Sequence, residues 1–293
     1  MIAVVCNDAG SAEIISSWLL IQNEKYLLVL EGPSLDIFNR KIRDIKVHSV
    51  ETALAKSDWL ITGTSVFSLL ELEAIAKSKE LNIKSVTFLD HWANYPQRFV
   101  RNNEQCLPDE LWVGDNYAYD IAKKIFPNTK VVLEENAYFK SIKAAAIKLK
   151  KKNQYHKKSE YILYLCSPVA DQANLFFGDE KYWGYDEHDR IRYFMLNLHK
   201  LNASAKKIVF RLHPSERVDK YNWVISEFGP LVSIGGKKTL LEEVLESELV
   251  VGCNSMGLAI AIIVGKRVVS ALAIDDSECT IPMKELEHLN LIS

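Results

Sequence analysis

The chain has 293 residues, of which 48% are hydrophobic and 25% are charged, and it contains only 12 glycines and 8 prolines. This composition is typical of a globular protein and excludes a disordered or collagen-like chain. Its 36 Lys and Arg nearly balance its 38 Asp and Glu, so it lacks the strong overall positive charge of many nucleic-acid-binding proteins. The length is sufficient for two domains of ordinary size.

In the first half, seven short apolar segments predict β-strands, at residues 2–7, 26–31, 46–50, 59–62, 85–89, 110–113 and 130–133. Amphipathic segments between them predict helices at residues 12–22, 68–81, 117–126 and 137–150. Nearly continuous apolar strands that alternate with helices are typical of a parallel sheet covered on both faces. We therefore predict an α/β fold.

Residues 148–158 form a lysine-rich run, KLKKKNQYHKK, which we interpret as a solvated helix end or linker. Contact with an anionic membrane surface is the alternative. The run places a domain boundary between residues 152 and 153, which gives an N-terminal domain of residues 1–152 and a C-terminal domain of residues 153–293.

The alternation of strands and helices starts again after this boundary. Strands are predicted at residues 161–166, 207–212, 231–234, 249–252 and 267–271, the last being the final strand, with helices at 186–201, 220–228, 240–246 and 256–264. We therefore predict two Rossmann-like, doubly wound domains in tandem. Ligands bind such sheets at the carboxyl ends of their strands, so we expect a cleft between the two domains.

The five cysteines are scattered and never form a CxxC pair, which is typical of reduced cysteines in a reducing compartment. The longest apolar stretch, residues 258–264, is too short to span a bilayer. The first residues resemble a strand and not a signal peptide. We expect a cytoplasmic protein.

The predicted strand 207–212 ends within the sequence RLHPSE, residues 211–216. Pro214 has no N–H and ends the strand, which leaves His213 at the strand tip, while Ser215 leads towards the next helix. An imidazole in this position can donate a hydrogen bond to a phosphate oxygen, or protonate it as a leaving group departs. The alternative is a structural histidine that is hydrogen-bonded to nearby backbone.

The sequence CNSMG joins the predicted strand 249–252 to an apolar helix. Its small residues permit close approach of a ligand, and the backbone N–H groups from Met256 onward favour an anion at the helix N-terminus. The side chains of Asn254 and Ser255 can add hydrogen bonds to that anion. The alternative is that Asn254 simply caps the helix.

These two motifs resemble the His-Pro and serine motifs of nucleotide-sugar glycosyltransferases with the GT-B fold, especially bacterial sialyltransferases and Kdo transferases, which use CMP-activated sugars. The resemblance covers part of the C-terminal half by motif and the whole chain by architecture. It implies that His213 contacts the CMP phosphate, that Pro214 shapes the loop around the cytidine, and that Asn254 and Ser255 hold the phosphate. This chain has Asn-Ser where those families have a serine pair, and it lacks their complete acidic motif.

Transfer of a sugar to a hydroxyl group requires a general base, which in enzymes of this type lies in the N-terminal domain. Asp8 follows the first predicted strand, and Asp90 and His91 follow the fifth. We rank the two aspartates equally as the base and place His91 behind them. The alternatives are that Asp8 caps a helix, and that Asp90 and His91 form a structural hydrogen-bonded pair.

We therefore predict a glycosyltransferase that needs no metal or other cofactor, because the sequence has no DxD triplet and no metal-ligand spacing. By the resemblance, its partners are a CMP-sugar donor, of the nonulosonic class (sialic, legionaminic or pseudaminic acid) or Kdo, and a glycan acceptor in bacterial surface glycoconjugate synthesis. Nucleic acid is not expected, and peripheral contact with the inner membrane is the alternative role of the lysine-rich run. The alternatives are a UDP-sugar transferase, an epimerase or hydrolase resembling UDP-N-acetylglucosamine 2-epimerase, and a non-catalytic nucleotide- or glycan-binding subunit.

Overall fold

The computed structural model describes residues 1–66, 68–153, 161–205, 207–273 and 279–292. The chain folds as two compact units, Met1–Ser141 and Ile142–Ser293. The boundary between the units lies inside a helix that runs from Ala137 to Asn153, whereas the predicted boundary lies near the other end of the same helix. Residues 154–158 of the lysine-rich run lie outside the described residues.

The first unit contains one large sheet, a two-stranded hairpin and a set of covering helices. Its strands are β1 Ile2–Cys6, β2 Tyr26–Leu30, β3 Trp59–Thr62, β4 Lys84–Leu89, β5 Val100–Arg101, β6 Glu104–Gln105, β7 Glu110–Val113 and β8 Lys130–Leu133. Its helices are α1 Ala9–Leu19, α2 Pro33–Ile42, α3 Val50–Leu54, α4 Leu70–Glu80 and α5 Asn116–Ile125, and α6 Ala137–Asn153 continues into the second unit. The large sheet has the order β2-β1-β3-β4-β7-β8, all of its strand pairs are parallel, and β5 pairs with β6 antiparallel.

Residues 46–50 do not form the predicted strand. The segment makes a single parallel bridge, between Val47 and Leu28 of β2. Its flanking residues are polar, Val47 is 42% exposed, and the Ser49 hydroxyl accepts a hydrogen bond from Thr52 N–H to start α3 at the end of the segment. An edge segment without an apolar face gains little from pairing, so helix α3 begins where the strand was expected to end.

The second unit is a parallel sheet of the same kind. Its strands are β9 Tyr161–Leu165, β10 Lys207–Arg211, β11 Val232–Ile234, β12 Leu249–Gly252, β13 Arg267–Ser270 and β14 Leu286–His288, and its helices after α6 are α7 Val169–Phe177, α8 Glu187–Leu196, α9 Asn222–Phe228, α10 Leu240–Glu246 and α11 Met256–Ile263. The strand order β11-β10-β9-β12-β13-β14 is the Rossmann order 3-2-1-4-5-6. The prediction that residues 267–271 form the final strand is wrong, because β14 pairs with β13 at the sheet edge through contacts such as Val268 with Leu286.

Both sheets are covered on their two faces, as the apolar strands predicted. All five residues of β1 and all four of β12 are buried. Helix α11 is apolar around most of its circumference and packs against β12 and β13. The α/β architecture with two doubly wound, Rossmann-like units is thus confirmed. Within the ranges that the structure describes, no helix is both long enough and apolar enough to cross a bilayer.

Candidate functional site

The topology of each sheet indicates where a ligand site is expected. In a doubly wound sheet this place is the carboxyl end of the two neighbouring strands at which the strand order reverses. In the first unit these strands are β1 and β3, and in the second they are β9 and β12. Asp8 follows β1, and Asn254 and Ser255 follow β12, so both predicted sites lie at these reversal points.

Asp8 lies immediately before α1, and its half-buried carboxylate accepts a hydrogen bond of 2.9 Å from the Ser65 hydroxyl, which follows β3. Asp8 occupies the N-cap position of α1, but within the described part of the chain its carboxylate makes no capping hydrogen bond, so the interpretation of Asp8 as a capping carboxylate is wrong. Burial raises the pKa of Asp8, and the hydrogen bond from Ser65 opposes this shift. Asp8 is therefore a stronger base than an exposed aspartate.

Asp90 has a different environment, although it lies at the same edge of the sheet. Arg98 Nη1 is 3.3 Å from Asp90 Oδ1, and the two side chains are only 11% and 10% exposed. The Thr64 hydroxyl donates to the same oxygen at 3.2 Å and accepts from Arg98 Nη1 at 2.6 Å. A Cβ atom added to Gly10 would lie 2.0 Å from Asp90 Oδ2, so the carboxylate fits against the first turn of α1 because residue 10 is glycine. Asp90 is thus held as half of a buried ion pair.

His91 follows Asp90, but the structure gives Asp90 an arginine partner in place of the predicted histidine. The buried Nδ1 of His91 has no hydrogen-bond partner among the described residues, and burial lowers the pKa of this side chain. His91 lines a cavity of about 10 Å³ together with Asp90, Asp115 and Asn136. A cavity of this volume holds at most one water molecule.

Glu71 is a carboxyl at this edge that the sequence predictions did not select. It lies in the first turn of α4, is 2% exposed, and accepts a hydrogen bond of 2.7 Å from Asn7 N–H. Burial, and to a smaller extent the carboxylates of Asp8 and Asp90, raise the pKa of Glu71 to about 7, although the hydrogen bond from Asn7 N–H opposes this shift.

A sequence signal for Glu71 was present in the spacing of α4. Glu71, Ala74, Ile75 and Ser78 are all buried and follow the i, i+3, i+4, i+7 pattern of one helix face. A glutamate within this otherwise apolar or small-residue face is unusual, since buried carboxyls are rare unless they have a partner.

In the second unit, the loop after β10 places His213 beside β9, one strand away from the reversal point. His213 is exposed, and its Nδ1 lies 3.3 Å from Ser215 N and 2.7 Å from Ser215 Oγ. A backbone N–H can only donate, so Nδ1 is the acceptor and the neutral ring carries its proton on Nε2. Although much of the side chain is exposed, the surrounding protein partly desolvates the ring and lowers the pKa of His213, which favours this neutral form. The Glu216 carboxylate has the opposite, smaller effect. The predicted backbone contact therefore exists, but it leaves Nε2–H as a donor.

The loop that carries His213 is anchored by Glu216, whose side chain is fully buried. Glu216 Oε2 accepts from His213 N–H at 3.0 Å, and Glu216 Oε1 accepts from the Tyr221 hydroxyl at 2.6 Å and lies 3.1 Å from Lys220 Nζ. Lys220 also pairs with Glu187 and Asp171. A buried carboxylate with several hydrogen bonds makes a rigid base for the loop. The sequence analysis did not predict this role for Glu216.

The turn between β12 and α11 places Ser255 at the N-cap position and Met256 as the first helical residue. Asn254 is not the cap, because its Oδ1 accepts hydrogen bonds from Thr280 N–H and the Thr280 hydroxyl at 3.1 and 2.8 Å. Within the described ranges of this unit, the Ser255 hydroxyl makes no capping hydrogen bond to a backbone N–H of α11, although Ser255 is the N-cap residue. An added Cβ at Gly257 would lie 2.6 Å from Leu165, so glycine allows the helix start to approach the end of β9.

The structure therefore groups the predicted residues into two sets. Asp8 and Asp90, with Glu71, belong to the first unit, and His213, Pro214, Ser215, Asn254, Ser255 and Met256 belong to the second. Ser167, which follows β9, was not predicted, and its buried hydroxyl has no hydrogen-bond partner among the residues described. Across those same residues, no cluster of three His, Cys, Asp or Glu side chains could hold a metal ion.

Comparison with known proteins identifies the fold. No family model and no curated protein matches the sequence. Among solved structures, the chain is similar to MnaA of S. aureus, solved with UDP (TM-score 0.60, 11% identity, covering 92% of this chain and 78% of that one). It is also similar to UDP-GlcNAc 2-epimerase of Neisseria meningitidis bound to UDP-GlcNAc (TM-score 0.60, 14% identity, 92% and 82% covered). A third similar structure is the glycotransferase of kitacinnamycin (TM-score 0.54, 10% identity, 100% and 86% covered).

These similarities confirm the GT-B type of fold that the sequence predicted. At identities of 10 to 14%, they concern the fold alone. The more specific resemblance to CMP-sugar-dependent transferases stays a prediction.

Proposed function

We propose that this chain is a glycosyltransferase that moves a sugar from a nucleotide-activated donor to a hydroxyl group of an acceptor. The observation that carries the proposal is the His213 loop, in which Ser215 holds the ring so that Nε2–H is the donor. A neutral imidazole with a fixed N–H donor suits a phosphate oxygen, because it stabilises developing negative charge without having to transfer a proton.

In this proposal the second unit binds the donor. His213 donates to a phosphate oxygen, Pro214 and Ser215 keep the loop in shape, and the Ser255 hydroxyl with the backbone N–H groups from Met256 receives the same phosphate. Asn254 contributes by holding the neighbouring segment at Thr280, a role that its observed hydrogen bonds support.

The first unit provides the base, and we assign this role to Asp8. Asp90 is neutralised by Arg98, whereas Asp8 receives a hydrogen bond from the neutral Ser65 hydroxyl and has a raised pKa. As the acceptor oxygen forms its bond to the anomeric carbon, Asp8 takes the hydroxyl proton. The bond from the anomeric carbon to the phosphate oxygen breaks, and the nucleotide leaves with the electron pair.

For the donor we propose a CMP-sugar of the nonulosonic acid or Kdo class, and for the acceptor a glycan of the bacterial surface. The His-Pro and Asn-Ser motifs support this choice by their resemblance to CMP-dependent transferases. We further propose that the reaction needs no metal, because His213 and the N-terminus of α11 would supply the positive potential at the phosphate.

A second candidate is an epimerase or hydrolase that acts on a UDP-sugar. It is favoured by the two similar structures that were solved with UDP or UDP-GlcNAc. Such an enzyme would convert its substrate without an acceptor, which separates it experimentally from a transferase.

The test is a thermal-shift comparison of CMP, CDP, UMP, UDP, GDP and NAD on the full chain, with and without EDTA. We expect CMP to raise the melting temperature, and this rise to disappear in His213→Ala but not in His199→Ala, which changes an exposed histidine of the same unit. Stabilisation by UDP alone would favour the second candidate, and conversion of a UDP-sugar without acceptor would establish it. Binding without any turnover would indicate a non-catalytic subunit, and no response to any nucleotide would contradict all of these functions.

A further inference from the structure

Glu71 is a buried carboxyl that the proposed transfer reaction does not use. Its Oε1 accepts the Asn7 N–H, and Asn7 is the residue directly before Asp8. Its Oε2 is shielded from solvent and has no hydrogen-bond partner among the described residues. A carboxyl that is 2% exposed and only half satisfied costs folding free energy, so a purely structural role for its charge is unfavourable.

The ionisable groups around Glu71 lie at the ends of two strands. Cys6 and Asp8 lie at the end of β1, and Asp90 follows β4 with Arg98 as its partner. Burial raises the pKa of the Cys6 thiol, so that Cys6 stays neutral, and the Asp90 charge is opposed by Arg98. Of the two carboxylates near Glu71, Asp90 is paired with a cation, whereas Asp8 has no cationic partner in direct contact among the described residues.

Coupling between two ionisable groups is reciprocal. The Asp8 carboxylate raises the pKa of Glu71, so the Glu71 carboxylate must raise the pKa of Asp8 by the same amount, in addition to the larger effects of burial, the Ser65 hydrogen bond, Asp90 and Arg98 on Asp8. The backbone hydrogen bond to Asn7 adds a mechanical connection, because it fixes the end of β1 from which the Asp8 side chain extends.

We propose that Glu71 is a positioning residue for Asp8, which holds the backbone next to it and controls its proton affinity through charge. The proposal rests on the assignment of Asp8 as the base of the proposed transfer reaction. Ionised Glu71 makes Asp8 a stronger base, and protonated Glu71 makes it a weaker one. The activity of the site near neutral pH then follows two linked ionisations, with macroscopic pKa values that belong to the pair.

The test uses Glu71→Gln, which keeps an oxygen for the Asn7 N–H and removes the charge. The Asp8 carboxyl is observed by ¹³C NMR during a pH titration of the full chain with labelled aspartate, and its signal is assigned with Asp8→Asn. We expect the proton affinity of Asp8 to fall about tenfold in Glu71→Gln. Glu73→Gln makes the same chemical change in the same helical turn at an exposed position, and it should leave the Asp8 titration unchanged.

An Asp8 titration in Glu71→Gln that matches the wild type would overturn the proposal. If this variant does not fold, the reciprocal experiment decides, because Asp8→Asn with labelled glutamate should lower the pKa of Glu71 from its value of about 7. An unchanged Glu71 titration there would equally overturn it. The proposed function is judged separately, since a shifted Asp8 titration without sugar transfer would refute the transferase and leave the coupling established.

Discussion

The two units have nearly the same topology but place opposite chemistry at the carboxyl ends of their strands. The first unit buries carboxyls, and burial makes Asp8 and Glu71 bind protons more tightly than exposed acids do. The second unit exposes a histidine and buries a carboxylate, Glu216, beneath it to hold the loop. The fold therefore supplies two equivalent positions, and the side chains in the connecting loops and neighbouring helices decide which chemical groups each position presents.

The largest effect expected from this comparison is on activity, in Asp8→Asn. If the first unit handles the proton, loss of the Asp8 carboxylate should lower kcat by about 10²- to 10⁴-fold while nucleotide binding persists. Steady-state transfer assays and the thermal shift with nucleotide measure the two quantities. Full activity in Asp8→Asn would remove the proton-handling role from Asp8.

Asp90→Asn should act on stability, because it leaves Arg98 as an unpaired, largely buried charge. The free energy of unfolding should fall by about 3 to 5 kcal/mol, as measured by urea denaturation. Asp219→Asn is the matched control, since it removes an acid that pairs with Arg217 on the surface, and it should change little. Equal stability of Asp90→Asn and the wild type would show that the ion pair is not what distinguishes Asp90 from Asp8.

His213→Ala should lower kcat by about 10²- to 10³-fold, the effect of removing one donor to a developing oxyanion. The remaining activity of His213→Ala should keep the pH dependence that is assigned to Asp8, because Asp8 is the proposed base and His213 the proposed hydrogen-bond donor to the phosphate. A variant that lost activity only at low pH, where the imidazole of the wild type is protonated, would instead indicate that His213 donates a proton to the leaving phosphate.

The pH dependence of stability tests the burial of Glu71 apart from any catalysis. Its pKa of about 7 in the folded chain lies above the ordinary value of 4.5, so the folded state holds this proton more tightly. The stability that Glu71 contributes is therefore complete below about pH 4.5 and is lost as the pH rises through 7. Relative to Glu71→Gln, the wild type should lose about 3 kcal/mol between these limits. Urea denaturation of both variants across this range would show it, and parallel curves would contradict the burial.

Ser215→Ala should have the smallest effect. It removes the hydroxyl that lies 2.7 Å from His213 Nδ1 but keeps the backbone N–H contact. Loss of one such hydrogen bond is worth about 1 kcal/mol, or roughly a fivefold loss of nucleotide affinity. ¹⁵N NMR of the ring should still show the proton on Nε2, and a proton on Nδ1 in the wild type would contradict the geometry of this loop.

Much of the architecture was predictable, because it depends on local pattern. The apolar strands at residues 59–62, 110–113, 130–133 and 249–252 agree with the structure at both ends. The predictions were wrong for two short, partly polar edge segments: residues 46–50 do not form a strand, and the strand β14 was not predicted. Whether such an edge segment pairs depends on the neighbouring strand. The sequence also placed Asp8 and His213 correctly at strand ends, since polar side chains there are visible against apolar runs.

What the sequence by itself determined was the alternation of buried strands and amphipathic helices, and with it two parallel sheets whose carboxyl ends carry the polar residues. The periodicity of burial is a local property of the chain. Only the tertiary structure decided which of these residues are paired: Asp90 with Arg98, Asp8 with Ser65, and Asn254 with Thr280. It alone revealed that Glu71 and Glu216 are buried and hydrogen-bonded, and Glu71 meets Asn7, which lies far away in sequence, only when the sheet forms.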